Sequence, residues 1–142
     1  MKYDKLIRSA RAGVYAAPRI MGPLRAAAKG AGVAWLDLDL AGVADRDALF
    51  RRFAAVFSLP DYFGRNWDAL HECMLDFAGS GAPGALVHWR RGTELARRAP
   101  DVVTTSLEIL EDAATYWRSS GRIFLVAVER DSARGVALRP LR

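Results

Sequence analysis

Three carboxylates stand four residues apart in the middle of the chain: Asp68, Glu72 and Asp76. At about 100° per residue of helix they form one row. Trp67, Leu70, Met74 and Phe77 share a stripe almost opposite, so the row must face outward. Like charges at that spacing repel by about 0.2–0.5 kcal/mol per pair. Only Asp68, in the first turn after an Asn66 cap, gains from the helix dipole, by roughly 0.3–1 kcal/mol. Glu72 lies too far along to share that gain, and Asp76 sits near the end of the helix, where an anion is unfavourable. A row this uneconomical fits a surface that awaits a cation. The plain alternative is three acids on a solvated face. Tyr62, Phe63 and His71 shift the balance, because aromatic groups beside charges are typical of contact surfaces.

Other chemistries fare worse. The chain has two histidines, His71 and His88. His71 and Glu72 could be drawn as an acid–base pair, yet adjacent helix residues point about 100° apart. His88 lies in an apolar stretch, where a structural role is expected. No P-loop, GxSxG or metal-ligand spacing is present. The one cysteine, Cys73, has no CxxC companion and reads as a packing residue. The chain is therefore expected to be no enzyme, with no catalytic residues, no metal and no cofactor.

The net charge of +5 invites a nucleic-acid reading. Its distribution argues otherwise. Residues 1–32 carry seven Lys or Arg against one acid, and residues 130–142 carry four Arg against one acid. The stretch between them holds ten basic residues against fourteen acidic. No nucleic-acid-binding motif accompanies the basic ends, so direct nucleic-acid binding is not expected. No apolar run approaches the roughly 18–20 residues of a membrane span. Charges at Lys2, Asp4, Lys5, Arg8 and Arg11 leave no room for the apolar core of a signal peptide. A cytoplasmic protein is expected.

These residues need a scaffold. Val14–Pro18 reads as a short edge strand stopped by proline, and Met21–Lys29 as a short helix closed by Gly30 and Gly32. Val33–Leu40 alternates as a strand. Asp45 caps a helix carrying Leu49, Phe50, Phe53, Val56 and Phe57 at helical spacing. Leu59–Gly64 is a turn in which glycine supplies a positive φ, and the acidic helix follows from about Arg65 to Phe77. Gly79–Gly84 is a loop, Ala85–Trp89 a strand, Asp101–Arg118 a helix and Ile123–Val128 an all-apolar strand. Trp35, Trp89 and Trp117 read as core. Strands separated by helices predict an α/β domain with a small, mainly parallel sheet. The Arg-rich tail after Arg130 is expected to be loose.

The segment Pro60, Asp61, Tyr62, Phe63, Gly64, Asn66, Asp68, Ala69, Leu70, Glu72 resembles the signature of the barstar family of ribonuclease inhibitors. VHWRR at Val87–Arg91 and the last helix and strand agree in order. The resemblance divides the chain into a barstar-like domain, 33–129, a basic N-terminal extension, 1–32, and a basic tail, 130–142. It implies three parallel strands covered by helices, with a fourth strand from the extension. It further implies a monomer whose partner is a basic, extracellular-type ribonuclease. Asp68 and Glu72 would then hold the enzyme's phosphate-binding cations and Tyr62 would be the aromatic contact. Gly64, Asn66 and Trp67 would shape the start of the helix.

There are departures. Glu72 is one methylene longer than the family's aspartate, His71 replaces an aromatic, and Asp76 stands where a small residue is usual. Glu108 is the nearest candidate for a further interface acid on the last long helix. Two alternatives remain: the same fold turned to another basic partner, and an RNA-binding protein that uses its basic ends.

Overall fold

The computed structural model describes residues 2–8, 13–60, 64–76 and 83–141. Helix α1 is Lys2–Arg8, strand β1 is Gly13–Ala16, α2 is Gly22–Gly30 and β2 is Ala34–Asp39. Helices α3, Arg46–Val56, and α4, Trp67–Asp76, lead into β3, Gly84–Arg90. Helices α5, Thr93–Arg98, and α6, Pro100–Ser119, lead into β4, Ile123–Val128. A 3-10 turn at Arg130–Ala133 and a short strand β5, Arg139–Pro140, follow. The five strands pair in parallel in the order β2-β3-β4-β1-β5.

Two differences from expectation concern the ends of the chain. The stretch around Val14 was expected at a sheet edge. It is instead an inner strand, buried throughout and flanked by β4 and β5. The tail after Arg130 was expected to be loose. It supplies β5, and Ser132, Ala133 and Leu141 are buried. The sheet therefore has one strand more than the four expected. Pro140 has no N–H to offer a further neighbour, which suits a terminal strand.

The chain around α5 carried no expected helix. Its six residues bury Leu95 and Ala96, and Pro100 opens α6 immediately afterwards. The other boundaries fall within a few residues of expectation. Of the Gly79–Gly84 loop, residues 79–82 lie outside the described residues, as does Phe77, and Gly84 already opens β3. A Cβ at Gly84 would collide with the Ile123 carbonyl, so only glycine lets β3 approach β4 this closely.

Each sheet face has its own core. On one side Leu38, Ala85, Val87, Trp89, Phe124, Val126 and Val128 pack against α3, α4 and α6. On the other, Tyr15, Leu86, Leu125 and Ala127 meet Tyr3, Leu6 and Ile7 of α1 and Leu24, Ala27 and Ala28 of α2. Strands covered on both faces explain the continuous apolar run of β4. Trp89 and Trp117 are buried as expected, whereas Trp35 is half-buried beneath Arg25, 5.2 Å from its ring centre.

Candidate functional site

Helix α4 is fixed at three points. At its start, the Ala69 N–H donates to Asn66 Oδ1 at 2.8 Å, as the expected cap requires. Trp67 meets Phe50 of α3 edge-on, ring centres 5.0 Å apart. Near the far end, the Trp117 indole N–H of α6 donates to the Met74 carbonyl at 3.0 Å. That carbonyl is one of the four a helix C-terminus leaves without a partner. Leu70 and Met74 are fully buried beneath, each worth roughly 1.5–3 kcal/mol of transfer free energy.

The positive φ expected at Gly64 falls instead on Arg65, at 50°. A non-glycine residue there stores about 1–3 kcal/mol, and the turn it makes delivers the chain to the cap. Gly64 has a different reason to be small. A Cβ there would stand 3.2 Å from Asn66 Nδ2 and crowd the capping side chain.

On this support Asp68, Glu72 and Asp76 are all exposed. Among the described residues none of the three makes an ion pair. Adjacent members of such a row have Cβ atoms about 6 Å apart, so the row spans about 12 Å. His71 and Trp67 are half-buried on the flank toward α3, and Gly64 and Asn66 are exposed. Tyr62, the expected aromatic contact, lies outside the described residues. Cys73 is half-buried, and its thiol is pushed up first by burial and then by the charges of Asp76 and Glu72. It is a packing residue on the flank toward α6.

Glu108 does not join this row. It is exposed, but it lines an open groove of about 350 Å³ on the other flank of α6. The groove is formed with Val14, Leu107, Glu111 and the segment Val136–Arg139. Glu111, on the same flank, accepts the Val14 N–H and the Arg139 guanidinium, each at 2.7 Å. The α6 residues that lean toward α4 are Asp112 and Tyr116, both exposed. Their spacing of four from Glu108 was readable in the sequence. Which flank met α4 was not.

A second acidic cluster was not anticipated. At the carboxyl ends of β2 and β3, Arg90 donates two bonds of 2.7 Å to Asp37. Arg91 Nε donates to Asp39 at 2.9 Å, and Arg52 reaches the Asp39 carbonyl. The Arg91 hydrogen bond holds the Asp39 carboxyl at about 2, and Arg90 likewise lowers that of Asp37. His88 stands beside them, its ring 5.8 Å from Trp35 and edge-on to it. Burial pushes the imidazole below its ordinary value, so it is neutral near pH 7, in keeping with a structural role.

Among the described residues, no group of three or more His, Cys, Asp or Glu side chains could hold a metal ion. None of their helices is long and apolar enough to cross a membrane. Among curated proteins none matches the chain. A sequence model of the family described as Barstar (barnase inhibitor) matches residues 33–129. That stretch runs from β2 to the end of β4 and includes the whole of α4 with its acidic row. With about two thirds of its length matched, the chain belongs to the Barstar family.

Proposed function

We propose that this protein inhibits a basic ribonuclease by laying the exposed row of α4 into the enzyme's RNA-binding cleft. The observation that carries the reading is the unpaired state of Asp68, Glu72 and Asp76 on a helix fixed by its cap, by Phe50 and by Trp117. A preorganised row loses little freedom on binding. Its carboxylates are spaced to meet guanidinium or ammonium groups that otherwise hold phosphates, through short charge-assisted hydrogen bonds. Family membership supports the same role. In this reading the chain is a binding protein without catalytic residues. It acts as a monomer in the cytoplasm, where its single thiol stays reduced.

The test is titration against a small guanyl-specific basic bacterial ribonuclease, following RNA cleavage, with Glu72→Ala alongside. Stoichiometric inhibition that Glu72→Ala relieves is the expected result. Inhibition untouched by Glu72→Ala and by Asp68→Ala overturns the placement of the site on α4. Absence of inhibition turns the same acidic surface toward a different basic partner.

A further inference from the structure

Two large apolar side chains are strongly exposed: Ile20, in the connection between β1 and α2, and Tyr116, on α6. Tyr116 is 55% exposed. Its position on the helix gives that exposure a direction. The groove side of α6 carries Thr104, Leu107, Glu108 and Glu111. Tyr116 lies about 140° around the helix from Glu111, on the flank turned toward α4. Trp117, its neighbour in the chain, reaches the Met74 carbonyl of α4, so Tyr116 stands beside the C-terminal half of that helix. Glu72 and Asp76 lean from α4 toward the same valley. Their charges are the ones felt by Cys73, half-buried on that flank. Asp112 is exposed one turn before Tyr116, about 6 Å away between Cβ atoms.

We propose that Asp112 and Tyr116 form a second contact element, which extends the binding surface of α4 across the valley and takes an arginine of the basic partner. The inference rests on the ribonuclease-inhibitor reading and adds to it a specificity-determining residue on α6. A planar guanidinium suits the pair. Its edge forms hydrogen bonds to the Asp112 carboxylate while its face stacks on the Tyr116 ring. Among the described residues Tyr116 makes no side-chain hydrogen bond and Asp112 makes no ion pair, so both are available. An exposed aromatic beside a row of charges also matches the composition of interface hot spots, where tyrosine is enriched.

The experiment measures the dissociation constant of the full chain for the same guanyl-specific ribonuclease. Tyr116→Ala, Tyr116→Phe, Asp112→Asn and the double variant Asp112→Asn/Tyr116→Ala are compared, with Ile20→Ala as the control. Thermal midpoints verify folding. Tyr116→Ala is expected to weaken binding about tenfold or more. Tyr116→Phe keeps the ring and stays within about threefold, and Ile20→Ala is without effect. The double variant loses less than the product of the two single losses, because both residues hold one group. If Tyr116→Ala and Asp112→Asn bind normally while Glu72→Ala is impaired, the second contact is overturned and the inhibitor reading stands. Equal losses in Tyr116→Phe and Tyr116→Ala overturn the stacking role. If the wild-type chain does not inhibit, both readings fall together.

Discussion

Two groups of carboxylates lie on this molecule, and they differ in what meets them. Asp37 and Asp39 are engaged by Arg90 and Arg91, and the ends of β2 and β3 are stapled through them. Asp68, Glu72 and Asp76 meet no cation among the described residues. The first group has its countercharges on neighbouring strands, in register: Asp37 opposite His88 and Asp39 opposite Arg90. The second lies along one helix surrounded by α3 and α6, whose adjoining flanks offer it none. Carboxylates that serve the fold come with partners from the same chain, and carboxylates left without them point to a partner from elsewhere. Composition does not separate the two groups. Pairing does.

The sharpest way to break this contrast is to neutralise the α4 row without changing its shape. The double variant Asp68→Asn/Glu72→Gln should weaken binding of the ribonuclease by about a hundredfold or more, near 3 kcal/mol. Its thermal midpoint should hold or rise slightly, because removing like charges four residues apart relieves about 0.2–0.5 kcal/mol. A clear fall in midpoint with binding intact would show that the row serves the fold instead.

The opposite pattern is expected for the paired cluster. Asp37→Ala leaves inhibition within about twofold and lowers the stability read from urea unfolding by about 1 kcal/mol, the upper range for a solvent-screened ion pair. Normal stability in that variant would remove the distinction between the clusters.

Smaller effects should appear in stability as a function of pH. The folded Asp39 carboxyl is held at about 2, below its unfolded value. Its contribution is therefore complete above about pH 4 and is lost as the pH falls toward 2. The Asp39→Asn variant should show a shallower acid decline. His88 is also held below its ordinary 6.5, because burial disfavours the imidazolium. The unfolded chain then takes up the proton first as the pH drops below about 6.5, and stability begins to fall there. In His88→Gln that part of the slope should vanish. If it persists, another group titrates in that range.

Much of the scaffold was legible because the signals are local. Asp45 accepts the Ala48 N–H at 2.8 Å, as its place before an apolar periodic run required. Asn66 does the same for Ala69, and the apolar run Ile123–Val128 is a strand with those limits. The acidic row was legible too, since a period of four residues fixes which side chains share a face. The ends of the chain were misread. Four residues around Val14 carry no sign of which strands they join, and neither Ser132 nor Leu141 announces its burial. The match of 33–129 to the family also drew attention away from α1 and α2, which cover one whole face of the sheet.

The sequence by itself determined the helix that bears the row, its cap, its apolar seat and the outward direction of Asp68, Glu72 and Asp76. Helical period and capping depend on residues only a few places apart. Tertiary structure decided which acids are paired, that Glu108 belongs to a groove beside the C-terminal segment, and that Asp112 and Tyr116 lean toward α4. Those outcomes depend on contacts between residues dozens of positions apart, such as Trp117 with Met74 and Glu111 with Val14. Such contacts are set by how helices pack over a sheet, and periodicity along one helix contains no record of its neighbours.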